Sequence, residues 1–300
     1  MARYTGTAGN NTVTGAQNQN NQFFNFGEGA DQLTGGNRTD KFGLTVDEHR
    51  DHVDGGNGID TVDYSNADRG LTIDLFNGIT TGSFYFSEAR PVPGGNGFVT
   101  GYEDKIVTEL RNVENVVGTR FDDTIVGSNG DNVIEGGGGA DRIYGGEGRD
   151  TVSYEHSEAG VTVSLGARID LGIVYGYTPG QGNGGDAEGD RLYSIENVIG
   201  SGYNDVIIGN HADNTLTGGN GNDTFIFRHD VGHDTITDFD AIGRDHDFLQ
   251  LEGYFRDFQD LRGHMEARGN DVVITIDEHN SITLENVRLN QLDESDFYFV

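Results

Sequence analysis

The stretch that decides the fold is Gly136-Gly137-Gly138-Gly139-Ala140-Asp141-Arg142-Ile143-Tyr144, followed at once by Gly145-Gly146-Glu147-Gly148-Arg149-Asp150-Thr151-Val152-Ser153. Both nonads have glycine at positions one, two and four, Asp at position six and an aliphatic residue at position eight. Reading backwards in the same frame adds Gly127 to Glu135 and Gly118 to Val126. A short fixed period of this kind is typical of a solenoid.

Two further blocks carry the same pattern. One starts at Gly200 and continues at Gly209 and Gly218, where the last copy reads Gly218-Gly219-Asn220-Gly221-Asn222-Asp223-Thr224-Phe225-Ile226. The other, less regular block fills the N-terminal part. Its best copies run from Gly55 to Asp63 and from Gly27 to Leu33, and weak copies surround Asn11, Asp40 and Asp51.

Each position of the nonad has a physical interpretation. Glycines permit positive φ and leave backbone carbonyls uncovered, and the Asp supplies a hard oxygen ligand. The aliphatic residue points inward from a short strand at Ile125, Ile134, Ile143 and Val152. Two nonads make one coil of 18 residues, so residues 18 apart stack on the same edge. The predicted stacked pairs are Asp123 with Asp141, Asp205 with Asp223 and, more weakly, Asn132 with Asp150.

A carboxylate from each coil together with turn carbonyls gives a cage of six to eight oxygens, which suits Ca²⁺. With this pattern the sequence resembles the RTX (repeats-in-toxin), hemolysin-type calcium-binding family, whose nonapeptide is GGxGxDxUx. The resemblance implies an all-β, right-handed parallel β-roll or β-helix solenoid that binds several Ca²⁺ ions. A disordered Gly/Asn/Asp-rich linker is the alternative, but a linker has no reason to keep an aliphatic residue in phase.

The candidate metal-binding residues are the Asp, Asn and Gly residues at the repeat positions of the three blocks. They are Asp31, Asp40, Asp51, Asp60, Gly118, Asp123, Gly127, Asn132, Gly136, Gly137, Gly139, Asp141, Gly145, Gly146, Gly148, Asp150, Asp205, Asn214, Gly218, Gly219, Gly221 and Asp223.

A longer duplication overlies the nonads. Residues 64–75 parallel 154–165, and residues 110–119 parallel 193–201. Apolar residues alternate with period two in both copies of the first element, which predicts strands with one buried face. We expect these strands to continue the solenoid as wider coils without calcium. The Gly-rich segments 77–101 and 167–189 are expected to be loops. They either take part in recognition or are simply solvated excursions of the chain.

The C-terminal segment, from residue 227 onward, lacks the nonad pattern. The spacing of Phe255, Phe258, Leu261 and Met265 predicts a short amphipathic helix, and strands are predicted over 271–277 and 281–284. The segment resembles the cap and secretion region of RTX proteins, which a type I exporter reads. The predicted segments are an N-terminal RTX block (1–63), a strand-loop-strand insert (64–117), a central block and strand (118–165), a second insert (166–199), a third block (200–226) and the C-terminal cap (227–300).

Composition excludes several classes. The net charge of −31 and the presence of only two lysines argue against binding to nucleic acid or anionic membranes. The absence of Cys excludes disulfide scaffolds and thiolate metal sites. No apolar run is long enough for a membrane span, and the N-terminus has no apolar segment of a signal peptide. We therefore expect export to the extracellular space or the cell surface through a targeting signal other than an N-terminal signal peptide.

No catalytic motif was found, so a non-enzymatic protein is expected. The sequence favours a secreted calcium-binding protein with a structural, adhesive or matrix role. A polysaccharide-binding module is the first alternative, with loop residues Tyr85, Arg90, Tyr102, Tyr175 and Tyr177 as contacts. A β-helix polyuronate lyase or epimerase is the second. Tyr154-Glu155-His156 is the best acid/base cluster, and the physiological partner and oligomeric state stay open.

Overall fold

The computed structural model describes residues 1–91, 98–166, 168–170, 175–177, 180–228 and 231–300, with side chains outside 84–103 and 167–179. The chain divides into two compact units, Met1–Ser128 and Asn129–Val300. The six segments predicted from the sequence follow the repeat pattern and not these compact units. The division into six segments stays a prediction.

The first unit consists of short strands separated by tight turns. Its strands are β1 (Ala2–Thr5), β2 (Thr12–Thr14), β3 (Asn21–Phe26), β4 (Gln32–Gly36), β5 (Lys41–Leu44), β6 (Asp51–Gly56), β7 (Thr61–Asp63), β8 (Leu71–Asp74), β9 (Ile79–Pro91), β10 (Phe98–Arg111), β11 (Asn115–Val117) and β12 (Thr124–Val126).

From β1 to β8, consecutive strands of this unit alternate between two sheets. One sheet has the order β1-β3-β5-β7-β11 and the other the order β2-β4-β6-β10-β9-β8-β12. Pairing is parallel within the first sheet and from β2 to β4 and β6. Two strands and two turns therefore form one coil, and parallel stacking of coils gives the predicted parallel β-roll.

The inward-facing residues form the core of each coil. Position eight of the central nonads is fully buried at Ile125, Ile134, Ile143 and Val152, as the pattern predicted. The first unit adds large aromatic residues, and the rings of Phe23 and Phe42 stack at 4.5 Å between centroids.

The segment 77–101 is not the loop that the sequence predicted. It lies mostly in β9 and β10, a long antiparallel pair in which Ile79 is opposite Glu109 and Tyr85 is opposite Tyr102. Strand β9 also pairs antiparallel with β8, whereas β8 pairs parallel with β12. The predicted strand therefore continues the parallel stack as expected, and the antiparallel pair lies between β6 and β8. The prediction of a loop rested on the glycines of this segment, whereas the Thr and aromatic residues between those glycines favour strands.

The second unit repeats the short strands and adds a C-terminal region. Its strands are β13 (Val133–Glu135), β14 (Arg142–Tyr144), β15 (Thr151–Ser153), β16 (Thr162–Ser164), β17 (Arg168–Asp170), β18 (Tyr175–Tyr177), β19 (Gly180–Asn183), β20 (Arg191–Tyr193), β21 (Asn197–Ile199), β22 (Val206–Ile208), β23 (Thr215–Thr217), β24 (Thr224–Phe227), β25 (His233–Ile236), β26 (Phe248–Leu251), β27 (Met265–Arg268), β28 (Asp271–Thr275), β29 (Ser281–Leu284) and β30 (Phe297–Phe299). The helix α1 (Phe258–Arg262) and 3₁₀ turns at Gly185–Ala187 and Glu294–Asp296 complete it.

Two long sheets run through this unit. Their orders are β13-β15-β21-β23-β25-β29-β28-β27 and β14-β20-β19-β16-β22-β24-β26-β30, and β17 pairs with β18 alone. Strand β19 is antiparallel to both β16 and β20. The predicted loop 167–189, part of which lies outside the described residues, therefore also contributes a strand to the sheet. The predicted strand β16 itself pairs parallel with β22 and continues the stack as expected.

The C-terminal region extends both sheets. Strand β29 pairs parallel with β25 and antiparallel with β28, and β30 pairs parallel with β26. The predicted strands are confirmed, but the predicted helix is shorter than its apolar spacing suggested. Asp257 caps its start and Gly263 follows its last residue, so Met265 already lies in β27. No helix in the described part of the chain is long and apolar enough to cross a membrane.

Candidate metal centre

Aspartate residues stand at or just before the start of many strands and are linked from coil to coil. Asp31 Oδ1 accepts the backbone N–H of Asn11 at 2.7 Å, and Asp51 Oδ1 accepts that of Asp31 at 2.9 Å. We call each such row a carboxylate ladder. The ladders are Asn11-Asp31-Asp51 and Asn21-Asp40-Asp60 in the first unit, and Asn132-Asp150, Asp141-Asp190, Asp205-Asp223-Asp247 and Asn214-Asp234 in the second.

The glycines at positions two and four let successive turns lie against each other. Gly219 has φ +101°, and a Cβ added there would collide with the carbonyl oxygen of Ser201 in the preceding coil. Turn carbonyls therefore stay uncovered next to the neighbouring turn. In the central and third blocks, the other glycines at these positions with positive φ are Gly137, Gly139, Gly146, Gly148 and Gly221.

The glycine at position one faces the carboxylate of its own nonad. A Cβ at Gly145 would collide with Asp150 Oδ2, and Gly136 and Gly218 stand in the same relation to Asp141 and Asp223. The turn thus forms a cradle of oxygen atoms that any larger side chain would fill. Gly118 and Gly127, which open the first two nonads of the central block, are buried.

The second carboxylate oxygen of several ladder residues is buried and has no hydrogen-bond partner among the residues that the structure describes. This holds for Oδ2 of Asp31, Asp60, Asp150, Asp223 and Asp234, whose residues are at most 1% exposed. A buried charged oxygen without a partner is strongly unfavourable. The cradle therefore fits a cation, which would satisfy these atoms.

Burial also raises the pKa of several ladder carboxylates. Desolvation is the main cause at each, raising the pKa of Asp150 to about 6, of Asp60 and Asp223 to about 7 and of Asp234 to about 8. Neighbouring ladder acids such as Asp40 and Asp247 add to the effect at Asp60 and Asp223. A bound cation would favour the charged form and so oppose these shifts.

The donor atoms are carboxylate and carbonyl oxygens, which are the ligands of Ca²⁺ rather than of softer metals. Within the described ranges, no group of three or more His, Asp and Glu side chains lies together in a way that could hold a metal ion. Calcium cages commonly combine carboxylates with backbone carbonyls, and the turns provide both.

The structure brings two of the three predicted pairs together. Asp205 N–H donates to Asp223 Oδ1 at 2.8 Å, and Asn132 N–H donates to Asp150 Oδ1 at 2.9 Å. Asp123 lies in the first unit and Asp141 in the second, and their pairing stays a prediction. Metal ligation by any of these residues also stays a prediction.

Sequence reasoning missed three aspartates that stand in the ladders. Asp190 Oδ1 accepts the N–H of Asp141, Asp247 Oδ1 that of Asp223, and Asp234 Oδ1 that of Asn214, each at 2.8–2.9 Å. None is preceded by the complete Gly-Gly-x-Gly-x-Asp spacing, which is why the nonad pattern did not find them. The usable signal is an Asp followed by a polar-apolar alternation, as in Asp190-Arg191-Leu192-Tyr193.

The acid/base candidate Tyr154-Glu155-His156 does not converge on one point. Tyr154 is buried and its hydroxyl donates to Asp190 Oδ2 at 2.9 Å, whereas His156 pairs with Glu135. The equivalent Tyr64 is also buried, with its hydroxyl 2.9 Å from Thr80 Oγ1. Both tyrosines therefore have a structural explanation. The proposed glycan contacts Tyr85, Arg90, Tyr102, Tyr175 and Tyr177 have side chains outside the described ones, and their role stays a prediction.

Comparison with known proteins agrees with this geometry. Residues 117–152 and 194–225, less than a quarter of the chain, match the family model described as RTX calcium-binding nonapeptide repeat (4 copies). No curated protein matches the chain. Among solved structures, the chain is similar to extracellular lipase LipA from Serratia marcescens, with 16% identity and a TM-score of 0.28. That match covers 99% of this chain and 40% of the lipase chain.

Proposed function

We propose that this chain, an RTX-type calcium-binding repeat protein, is secreted and completes its fold when Ca²⁺ fills its turns outside the cell. The observation that carries the proposal is the set of buried, unpartnered Oδ2 atoms of Asp31, Asp60, Asp150, Asp223 and Asp234. Together with turn carbonyls these carboxylates would hold the ions. Calcium supplies positive charge there and cross-links neighbouring coils.

The energetic argument rests on what the turns cost without metal. Ordering glycine-rich turns loses much backbone entropy, and the ladders bring buried acids close to one another. Metal binding offsets both costs, so binding free energy becomes folding free energy. Extracellular calcium modules have Kd values of about 10⁻⁴–10⁻³ M. Such sites are empty at cytosolic calcium and filled outside, which keeps the chain unfolded for export and stable afterwards.

We further propose a structural, adhesive or matrix role at the cell surface or in the extracellular space. Export by a type I exporter is supported by the resemblance of residues 227–300 to the C-terminal region of secreted RTX proteins. The regular, repetitive surface of a β-roll is suited to such a role because each coil presents the same edges. Binding of an extracellular polysaccharide is a second candidate, and a separate surface favours it, as argued below.

Circular dichroism with calcium and with EGTA tests the central proposal. In millimolar Ca²⁺ we expect a strand-rich spectrum and a cooperative thermal transition, and in excess EGTA we expect most of both to disappear. Millimolar Mg²⁺ serves as the control, because Mg²⁺ demands a tighter octahedral cage and gives up its waters reluctantly. A full spectrum in EGTA would contradict the proposal.

A further inference from the structure

Two arginines lie side by side on the outer face of a sheet in the second unit. Strands β14 and β20 pair in parallel with Arg142 opposite Arg191. The residue that follows each arginine, Ile143 or Leu192, is buried in the core, so the arginines point away from it, and both are exposed. Neighbouring strands are about 4.8 Å apart, which brings two like charges close together at a cost to stability.

These arginines differ from five others in this acidic chain that form ion pairs. Arg50, Arg69, Arg228, Arg256 and Arg268 each form an ion pair with a nearby Asp or Glu. The side chains of Arg142 and Arg191 form no ion pair or hydrogen bond with any residue that the structure describes.

The preceding acids do not neutralise the pair. Asp190 is buried and accepts the N–H of Asp141 through Oδ1 and the hydroxyl of Tyr154 through Oδ2. Asp141 is buried as well. Two guanidinium groups are therefore available on the surface of a chain with net charge −31.

Aromatic rings lie next to the arginines on the same face. Two residues further along each strand, Tyr144 is opposite Tyr193 on the same face. Their ring centroids are 4.5 Å apart, with 9° between the ring planes. On the other side of Arg191, exposed Gln181 of β19 is its antiparallel neighbour. The face thus combines paired anion-binding forks, an amide and a stacked pair of tyrosine rings.

We propose that this face, defined by Arg142, Tyr144, Gln181, Arg191 and Tyr193, binds an acidic glycan whose sugars carry carboxylates. Arginine forks bind carboxylates through two parallel hydrogen bonds, and the spacing of adjacent strands is about the length of one sugar residue along a chain. Tyrosine supplies a flat apolar surface with a polar hydroxyl. Because surface charges are screened beyond about 8 Å at physiological salt, the local positive pair determines binding despite the overall negative charge.

Binding of short galacturonate oligomers to the full chain in millimolar Ca²⁺, measured by calorimetry, tests the inference. We expect saturable binding that weakens at least tenfold in R142S/R191S and partly in R142K/R191K, because lysine keeps the charge but loses the fork. The matched control is R262S/R288S, which removes the same charge from exposed arginines elsewhere in the unit and should bind like the wild type. A neutral galactose oligomer should not bind.

Equal binding by R142S/R191S and the wild type would overturn the inference. So would a short single-stranded oligonucleotide that binds as tightly as galacturonate through the same arginines, since the face would then be a general polyanion site. Circular dichroism of the same samples separates this inference from the proposed function. Folded protein without binding overturns the glycan site alone, whereas a protein that folds and binds equally well in EGTA overturns the calcium proposal alone.

Discussion

The N-terminal block (residues 1–63) and the nonads of the second unit (129–153 and 200–226) build the same ladder from different sequences. In the second unit, Asn132 and Asp150 are linked across 18 residues. In the N-terminal block, Asp31 and Asp51 are linked across 20, and Asp40 and Asp60 are too. The family model matches residues 117–152 and 194–225 but not the N-terminal block. The ladder therefore depends on an Asp before each strand more than on a fixed turn length.

The two regions differ most in what fills their coils. In the N-terminal block Phe23, Phe26 and Phe42 are fully buried, and Phe23 stacks on Phe42. At position eight, the nonads of the second unit mostly bury an aliphatic residue, such as Ile134 or Ile143, and one of them buries Phe225. An aromatic core removes far more apolar area from water. We infer that the N-terminal block depends less on metal than the nonads do.

Calcium removal should give the largest effect and the clearest contrast. A site held at a hundred times its Kd contributes about 2.7 kcal/mol, so losing several sites should unfold the nonads. We expect amides of β14, β15, β22 and β24 to exchange at least about a hundredfold faster in EGTA, and those of β3 and β5 to change less. Hydrogen exchange by mass spectrometry measures this. Equal loss of protection in both regions would remove the contrast.

Truncation of a core aromatic should come next in size. Phe42→Ala removes a fully buried ring and should cost about 3–5 kcal/mol. Because this loss concerns packing, the N-terminal block should lose about the same stability with and without added calcium. Denaturant unfolding in both conditions, with exposed Phe76→Ala as the control, measures it. A loss seen only in calcium would show that this core forms only on metal binding.

The smallest expected effect is that of one ladder carboxylate. Asp150→Asn keeps an acceptor for Asn132 N–H but removes the charged Oδ2, and should cost about 1–3 kcal/mol in saturating calcium. In EGTA the same change should be neutral or stabilising, because it removes a buried charge. Glu147→Gln is the matched control, since Glu147 is exposed at the variable third position of the same nonad. If both variants behave alike in calcium titrations, Asp150 is not a ligand.

The sequence was sufficient for the elements that repeat. Position eight of the nonads had to point inward, since an aliphatic residue recurring in phase is explained only by a core, and Ile143 and Val152 are indeed buried. The alternation at Leu71 and Ile73 likewise predicted one buried face, and both are buried. These inferences needed only local periodicity.

What the sequence could not supply is pairing between distant strands. Nothing in residues 77–101 specifies that β9 turns back on β10, because strand direction is decided by long-range hydrogen bonds. Asp190 and Asp234 were missed for a similar reason: their ladder partners lie 49 and 20 residues earlier, outside any short frame. The Arg142–Arg191 neighbourhood depends on the same distant pairing.

Each carboxylate ladder has a direction along the stack of coils. The N–H donor always belongs to the earlier coil and the accepting carboxylate to the later one, as between Asp31 and Asp51 or between Asp205 and Asp223. Opposite faces of a coil are consequently chemically unlike: one offers donors and the other offers acceptors. A second copy of the chain that extended such a stack could join it only head to tail. A reversed copy would place donors against donors or acceptors against acceptors.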